Sequence, residues 1–133
     1  MPKMIFVNLP VTDLAAATRF YQAIGCEKND RFSDHRSASM VWSETITFQL
    51  ATSDYFATYT PKPVADAHGT TEVLLALSID SREGVDRLAE AGAAAGGRAD
   101  IREREDSGFM YNRAVEDPDG HVFELMWMDM GAA

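Results

Sequence analysis

Cysteine is almost missing from this chain: Cys26 stands alone among 133 residues. No disulfide framework and no cysteine-based zinc site can form within one chain, and the count suits a reducing compartment. Long apolar runs are missing too. No stretch approaches the roughly 18 apolar residues that a membrane span needs. The opening Met1-Pro2-Lys3-Met4-Ile5-Phe6 carries no charged region leading into an apolar run and cleavage site. A cytoplasmic protein with no membrane partner is expected. Positive charge is scarce, with 12 Lys+Arg against 21 Asp+Glu, −9 at pH 7. Phosphate backbones and anionic lipid surfaces both require a basic patch, so neither nucleic acid nor membrane is an expected partner.

What is present suits one folded domain. The chain is 46% hydrophobic and 10% aromatic, enough for a core. Its acid is unevenly placed. Residues 1–70 hold 7 acids and 6 bases, whereas residues 71–133 hold 14 acids and 6 bases. The acidic half is either a solvated face or a surface that meets something positive.

Hydrophobic period divides the chain into strands and helices. Residues 4–11 read as a strand and Asp13 as a helix N-cap. Leu14, Ala17, Phe20, Tyr21 and Ile24 then follow at helical spacing up to Gly25. Three short strands are expected at 27–32, 38–43 and 45–51. Residues 52–70 break every period with Pro61, Pro63 and Gly69, and read as a linker or lid. The pattern then restarts. A strand spans 72–79, and Asp80 with Glu83 forms a capping box for a helix that runs to Gly96-Gly97. Strands follow near 98–104, 110–116 and 121–128. Asp117-Pro118-Asp119-Gly120 makes the hairpin turn between the last two.

The order β-α-β-β-β therefore occurs twice. The first strands and helix starts of the two copies are offset by 68 residues. Phe48-Gln49-Leu50 and Phe123-Glu124-Leu125 are offset by 75, and the seven-residue excess is expected in the longer loops of the second copy.

Two stretches carry a family resemblance. Asp13-Leu14 with Phe20-Tyr21-Gln22-Ala23-Ile24-Gly25, and Asp117-Pro118-Asp119-Gly120-His121-Val122-Phe123-Glu124-Leu125, resemble the first helix and closing hairpin of the vicinal oxygen chelate superfamily. This is the glyoxalase, bleomycin-resistance and extradiol-dioxygenase group. The resemblance implies an α+β fold in which tandem βαβββ modules form a curled mixed-sheet cup. One glyoxalase-like domain over 1–133 would contain module one (4–51), the linker (52–70) and module two (71–130). It also implies a homodimer.

In metal-dependent relatives the cup holds a divalent ion. Its ligands come from the first and fourth strands of each module, usually a His on each first strand. Carried over residue by residue, those positions fall at Phe6, Gln49, Leu74 and Glu124. Phe and Leu have no lone pair to donate. Gln49 and Glu124 remain as a two-point candidate metal site, too few for a transition metal. The expectation is therefore no cofactor. His35, His68 and His121 do not fall at ligand spacing. His68 alone, in the linker, is placed to fold over the cup.

Strand alternation puts Phe6, Asn8, Thr47, Gln49, Ala76, Glu124 and Met126 on one face. Phe6, Asn8, Gln49, Leu74, Met126, Trp42 and Arg113 are the candidate ligand-binding residues. Glu124, a carboxylate among apolar side chains, is the candidate catalytic base or cation partner, with Gln49 or Arg113 as its alternative structural partner. The reading is a small organic molecule bound in a cup with a degenerate metal site. Two alternatives stay open. One is a metal-dependent enzyme of the vicinal oxygen chelate type, a lactoylglutathione lyase-like lyase or isomerase, or a dioxygenase. The other is bleomycin-resistance-type sequestration of a cationic compound.

Overall fold

The computed structural model describes residues 2–131. The chain is α+β and divides into two compact units, 1–66 and 67–133.

The first unit runs β1 (Ile5–Val11), α1 (Leu14–Ala23), β2 (Glu27–Asn29), β3 (Ser37–Val41) and β4 (Ile46–Thr52). Its sheet has the order β1-β4-β3-β2. The β1–β4 pair is parallel and the other pairs are antiparallel. The Asp13 carboxylate accepts the Ala16 N–H and starts α1 as expected. Phe20, Tyr21 and Ile24 of α1 are buried with Val11, Met40, Phe48 and Leu50. The Phe20, Tyr21 and Phe48 rings follow one another at centroid distances of 5.2 and 5.7 Å. One face of the sheet thus forms the core with α1.

The expected strand 27–32 stops at Asn29. The Asn29 Oδ1 accepts the Arg31 N–H, and Asp30–Phe32 turn as a single 3-10 turn. An Asn side chain offers its neighbours' backbone this alternative to a ladder. The segment 52–70 also has more order than its composition suggests. It holds α2 (Ser53–Phe56) and a 3-10 turn over Ala57–Tyr59. The Ser53 hydroxyl bonds the Val11 carbonyl at 3.2 Å. The Arg36 guanidinium lies 4.3 Å over the Tyr55 ring.

The second unit runs β5 (Leu75–Ser78), α3 (Arg82–Ala94), β6 (Arg98–Ala99), β7 (Glu105–Asp106), β8 (Met110–Glu116) and β9 (Val122–Met128). Its sheet order is β5-β9-β8-β6, with β7 also on β8. The N-cap of α3 is Ser81, whose hydroxyl accepts the Gly84 N–H, one residue later than the expected Asp80. A serine hydroxyl is an equally good cap, so the Asp-Ser pair is ambiguous in sequence. The expected strand 98–104 is cut to two residues, because Asp100 takes a positive φ of 56°.

The register keeps the duplication. Asn8 pairs with Gln49 and Ala76 with Glu124, preserving both offsets. Glu27 pairs with Val41 and Arg98 with Glu116, so the offset has reached 71 by the second strand of each unit. Part of the excess therefore lies in the helix, which has 13 residues in α3 against 10 in α1, and not in loops alone. The remainder enters between β6 and β8.

Candidate binding site

The face of the first sheet turned away from α1 carries a concavity of about 850 Å³. This lies within the range of about 300–1,000 Å³ typical of small-molecule sites. Alternation along β1, β3 and β4 sets its floor. Val41 pairs with Thr47, which pairs with Phe6; Ser39 pairs with Gln49. The 3-10 turn after β2 raises Arg31 and Phe32 at one side, and the β3–β4 turn brings Glu44 to the other end.

The floor is chemically mixed. Phe6 is 57% exposed and Phe32 is 63% exposed, uncommon values for phenyl rings in a concavity. Beside them, the Gln49 amide and the Ser39 and Thr47 hydroxyls have no hydrogen-bond partner among the described residues. No fully buried side-chain nitrogen or oxygen atom is left unpartnered there, so these groups open onto the concavity. The Ser33 hydroxyl is engaged: it donates to the Asn29 carbonyl and accepts the Ser39 N–H, which fixes the turn carrying Arg31. Asp34 is engaged as well. Its carboxylate accepts the Arg36 and Ser37 N–H groups at 2.8 and 3.0 Å, and the first of these bonds holds its pKa below the usual carboxylate value.

The matching face of the second sheet is organised differently. There Glu124 is held by the Arg102 guanidinium, which also bonds Glu105 at 2.9 Å and the Asn112 side chain at 3.0 Å. Glu124 is therefore an ion-paired carboxylate, not a lone one among apolar neighbours. Its partner is neither of the two expected from sequence. Arg113 projects from the opposite face of the sheet, under α3, with its side chain only 2% exposed. There it meets Asp86, Glu90 and Asp100 at 3.1, 2.7 and 2.8 Å.

The other candidates separate as follows. Asn8 lies beside Gln49 on the concave face, and Met126 lies on the Glu124 face, paired with Asn112 and Ser78. Leu74 precedes β5 and is exposed. Trp42 does not join the site: its ring lies against Gly25 at the end of α1. The His68 ring bonds the Pro118 carbonyl at 3.1 Å, within the second unit. Arg31, Phe32 and Arg102 were missed in sequence because each was read inside a strand that ends early, whereas Ser39 lies in a strand as expected and joins the site only through its pairing with Gln49. The signal was the Asn29-Asp30 pair, a turn initiator.

A family model described as the Glyoxalase/Bleomycin resistance protein/Dioxygenase superfamily matches residues 3–125. The chain belongs to that superfamily. Among solved structures it is similar to a hypothetical protein from S. aureus, with 25% identity over 96% of this chain and 94% of that one, TM-score 0.79. It is similar to a glyoxalase-related enzyme from Fulvimarina pelagi, with 21% identity, coverage of 96% and 88%, and TM-score 0.79. The fosfomycin resistance protein FosX from Mesorhizobium loti matches with 17% identity, coverage of 99% and 97%, and TM-score 0.69. The last two likenesses concern the fold. No curated protein matches.

The metal that many members of the superfamily use can be tested against the donors present. Phe6 and Leu74 offer no lone pair, and the Glu124 carboxylate already holds Arg102. Among the described residues no three His, Cys, Asp or Glu side chains stand together as a ligand set. These residues do not fit a transition-metal site.

Proposed function

We propose that this chain is a metal-independent, small-molecule-binding member of the superfamily, with its ligand on the Phe6–Gln49 face of the first unit. The observation that carries the reading is the row of Ser39, Thr47 and Gln49, polar groups without internal partners, set between two exposed phenyl rings in one concavity. An apolar wall with a few convergent hydrogen-bonding groups is the usual build of a small-molecule site. Glu124 is given a structural role through Arg102, so the proposal is one of binding and places no base.

A fragment library screened by amide chemical-shift mapping tests this. Perturbations should gather on Phe6, Ser39, Thr47 and Gln49. Gln49→Ala should weaken the hits by about fivefold to tenfold, the loss of one hydrogen bond of ordinary strength. Hits scattered over the surface, or confined to β8 and β9, would contradict the assignment.

A further inference from the structure

We infer that the ligand is a planar organic acid whose carboxylate is held by Arg31, in the place that Glu124 occupies against Arg102 in the second unit. This rests on the binding site proposed above and names its ligand class.

The argument is the internal symmetry. Lys28 pairs with Met40 and Ala99 pairs with Val115, so the second strands of the two units are related by an offset of 71. Arg31 lies two residues past the end of β2 and Arg102 three residues past the end of β6, each in the turn that follows its strand. Gln49 is the counterpart of Glu124 by the offset of 75. In the second unit the arginine of this pair closes onto the carboxylate. In the first unit the carboxylate has become a neutral amide. Arg31 has no carboxylate partner among the described residues and only the Phe32 ring beneath it, at 5.7 Å.

A guanidinium presents a fork that matches a carboxylate, and stacking on a ring orients it. The negative charges nearby do not serve instead. The Asp34 carboxylate accepts the Arg36 and Ser37 N–H groups and lies 3.9 Å from the Arg36 guanidinium. Glu44 lies beyond Val41 at the turn end of β3, whereas Arg31 follows Asn29, which pairs with Ser39. The step from Ser39 to Val41 alone is about 7 Å along the strand at ordinary rise. Phe6 and Phe32 then supply the walls for a flat ring, and Gln49, Ser39 and Thr47 meet its polar substituents.

Calorimetric titration with three isosteric probes, 2-naphthoate, 2-naphthamide and 2-naphthylmethylammonium, decides the matter. The acid should bind about tenfold more tightly than the amide, the factor one charge-assisted hydrogen bond gives. Arg31→Gln should erase that preference and leave the amide's affinity unchanged. Arg19→Gln, which removes the same charge from α1, should leave the preference intact. Phe6→Ala should weaken all three probes. Equal affinities for the three probes, still lowered by Phe6→Ala, would overturn the acid while keeping the site. Preference for the ammonium would also overturn the acid and make Glu44 the anchor. No binding of any probe would overturn both the site and its ligand class.

Discussion

Gln49 and Glu124 hold the same place in the two units and have opposite surroundings. The amide faces an open concavity, and the carboxylate is gripped by Arg102. Sequence alone located both positions, because they lie in matching Phe-x-Leu triplets. It could not supply Arg102 as the partner of Glu124, since that arginine lies past a strand cut short at Asp100. Cys26 was legible from its place after α1. It is buried, and burial pushes its thiol pKa up to about 12. A thiol reagent at mildly alkaline pH should therefore leave the folded protein unmodified and react fully in denaturant. Gly120 shows a second residue-scale constraint. Its φ is +92°, and a Cβ there would fall 2.5 Å from the His68 nitrogen and 2.6 Å from the Ala67 carbonyl carbon. Neither backbone can yield cheaply, so Gly120→Ala should cost about 2 kcal/mol or more in urea denaturation. The Asp-Pro-Asp-Gly turn was visible in sequence, but the Ala67-His68 turn packed against it was not.

At the scale of elements, the helix α3 is fastened to β8 by charge as well as by apolar contact. Arg113 is buried, and its guanidinium holds Asp100, Asp86 and Glu90. The Arg113 bond, helped by Arg104, pulls the Asp100 pKa down from 3.8 to about 2. A carboxylate whose pKa is lower folded than unfolded stabilises the fold above its unfolded value. That contribution is lost as pH falls through the folded value. The urea midpoint should therefore fall between about pH 4 and pH 2. Asp100→Asn keeps a residue type that tolerates the positive φ, and should be less stable at neutral pH while losing part of that acid dependence. Sequence patterning could not reveal this cluster. Alternation placed Arg113 correctly in a strand, but which face it served depended on the carboxylates of α3 and the Asp100 turn.

At the scale of the whole molecule, the duplication explains both what was readable and what differs. Repeated strand–helix starts and hairpin signals made the α+β modular fold legible, because the same order of signals recurs although helix and loop lengths move the offset from 68 to 71 to 75. The pairing registers preserve those offsets. The excess acid of the second half was less legible. Asp86, Asp100, Glu105, Asp106, Glu116 and Glu124 each lie against an arginine. Those arginines are already counted in the balance of 14 acids to 6 bases, so pairing fixes where the charges sit and leaves the excess of acid in place. The two halves thus share a frame, one with its arginine–carboxylate pair closed and the other with an arginine left open. The central claim is that ligand binding on the Phe6–Gln49 face needs no metal. The most direct measurement is the affinity for 2-naphthoate in chelator-treated protein, before and after zinc or manganese is added. The account predicts the same affinity in all three states, weakened in each by Phe6→Ala and by Gln49→Ala. Affinity that disappears with the chelator and returns with the metal would contradict it.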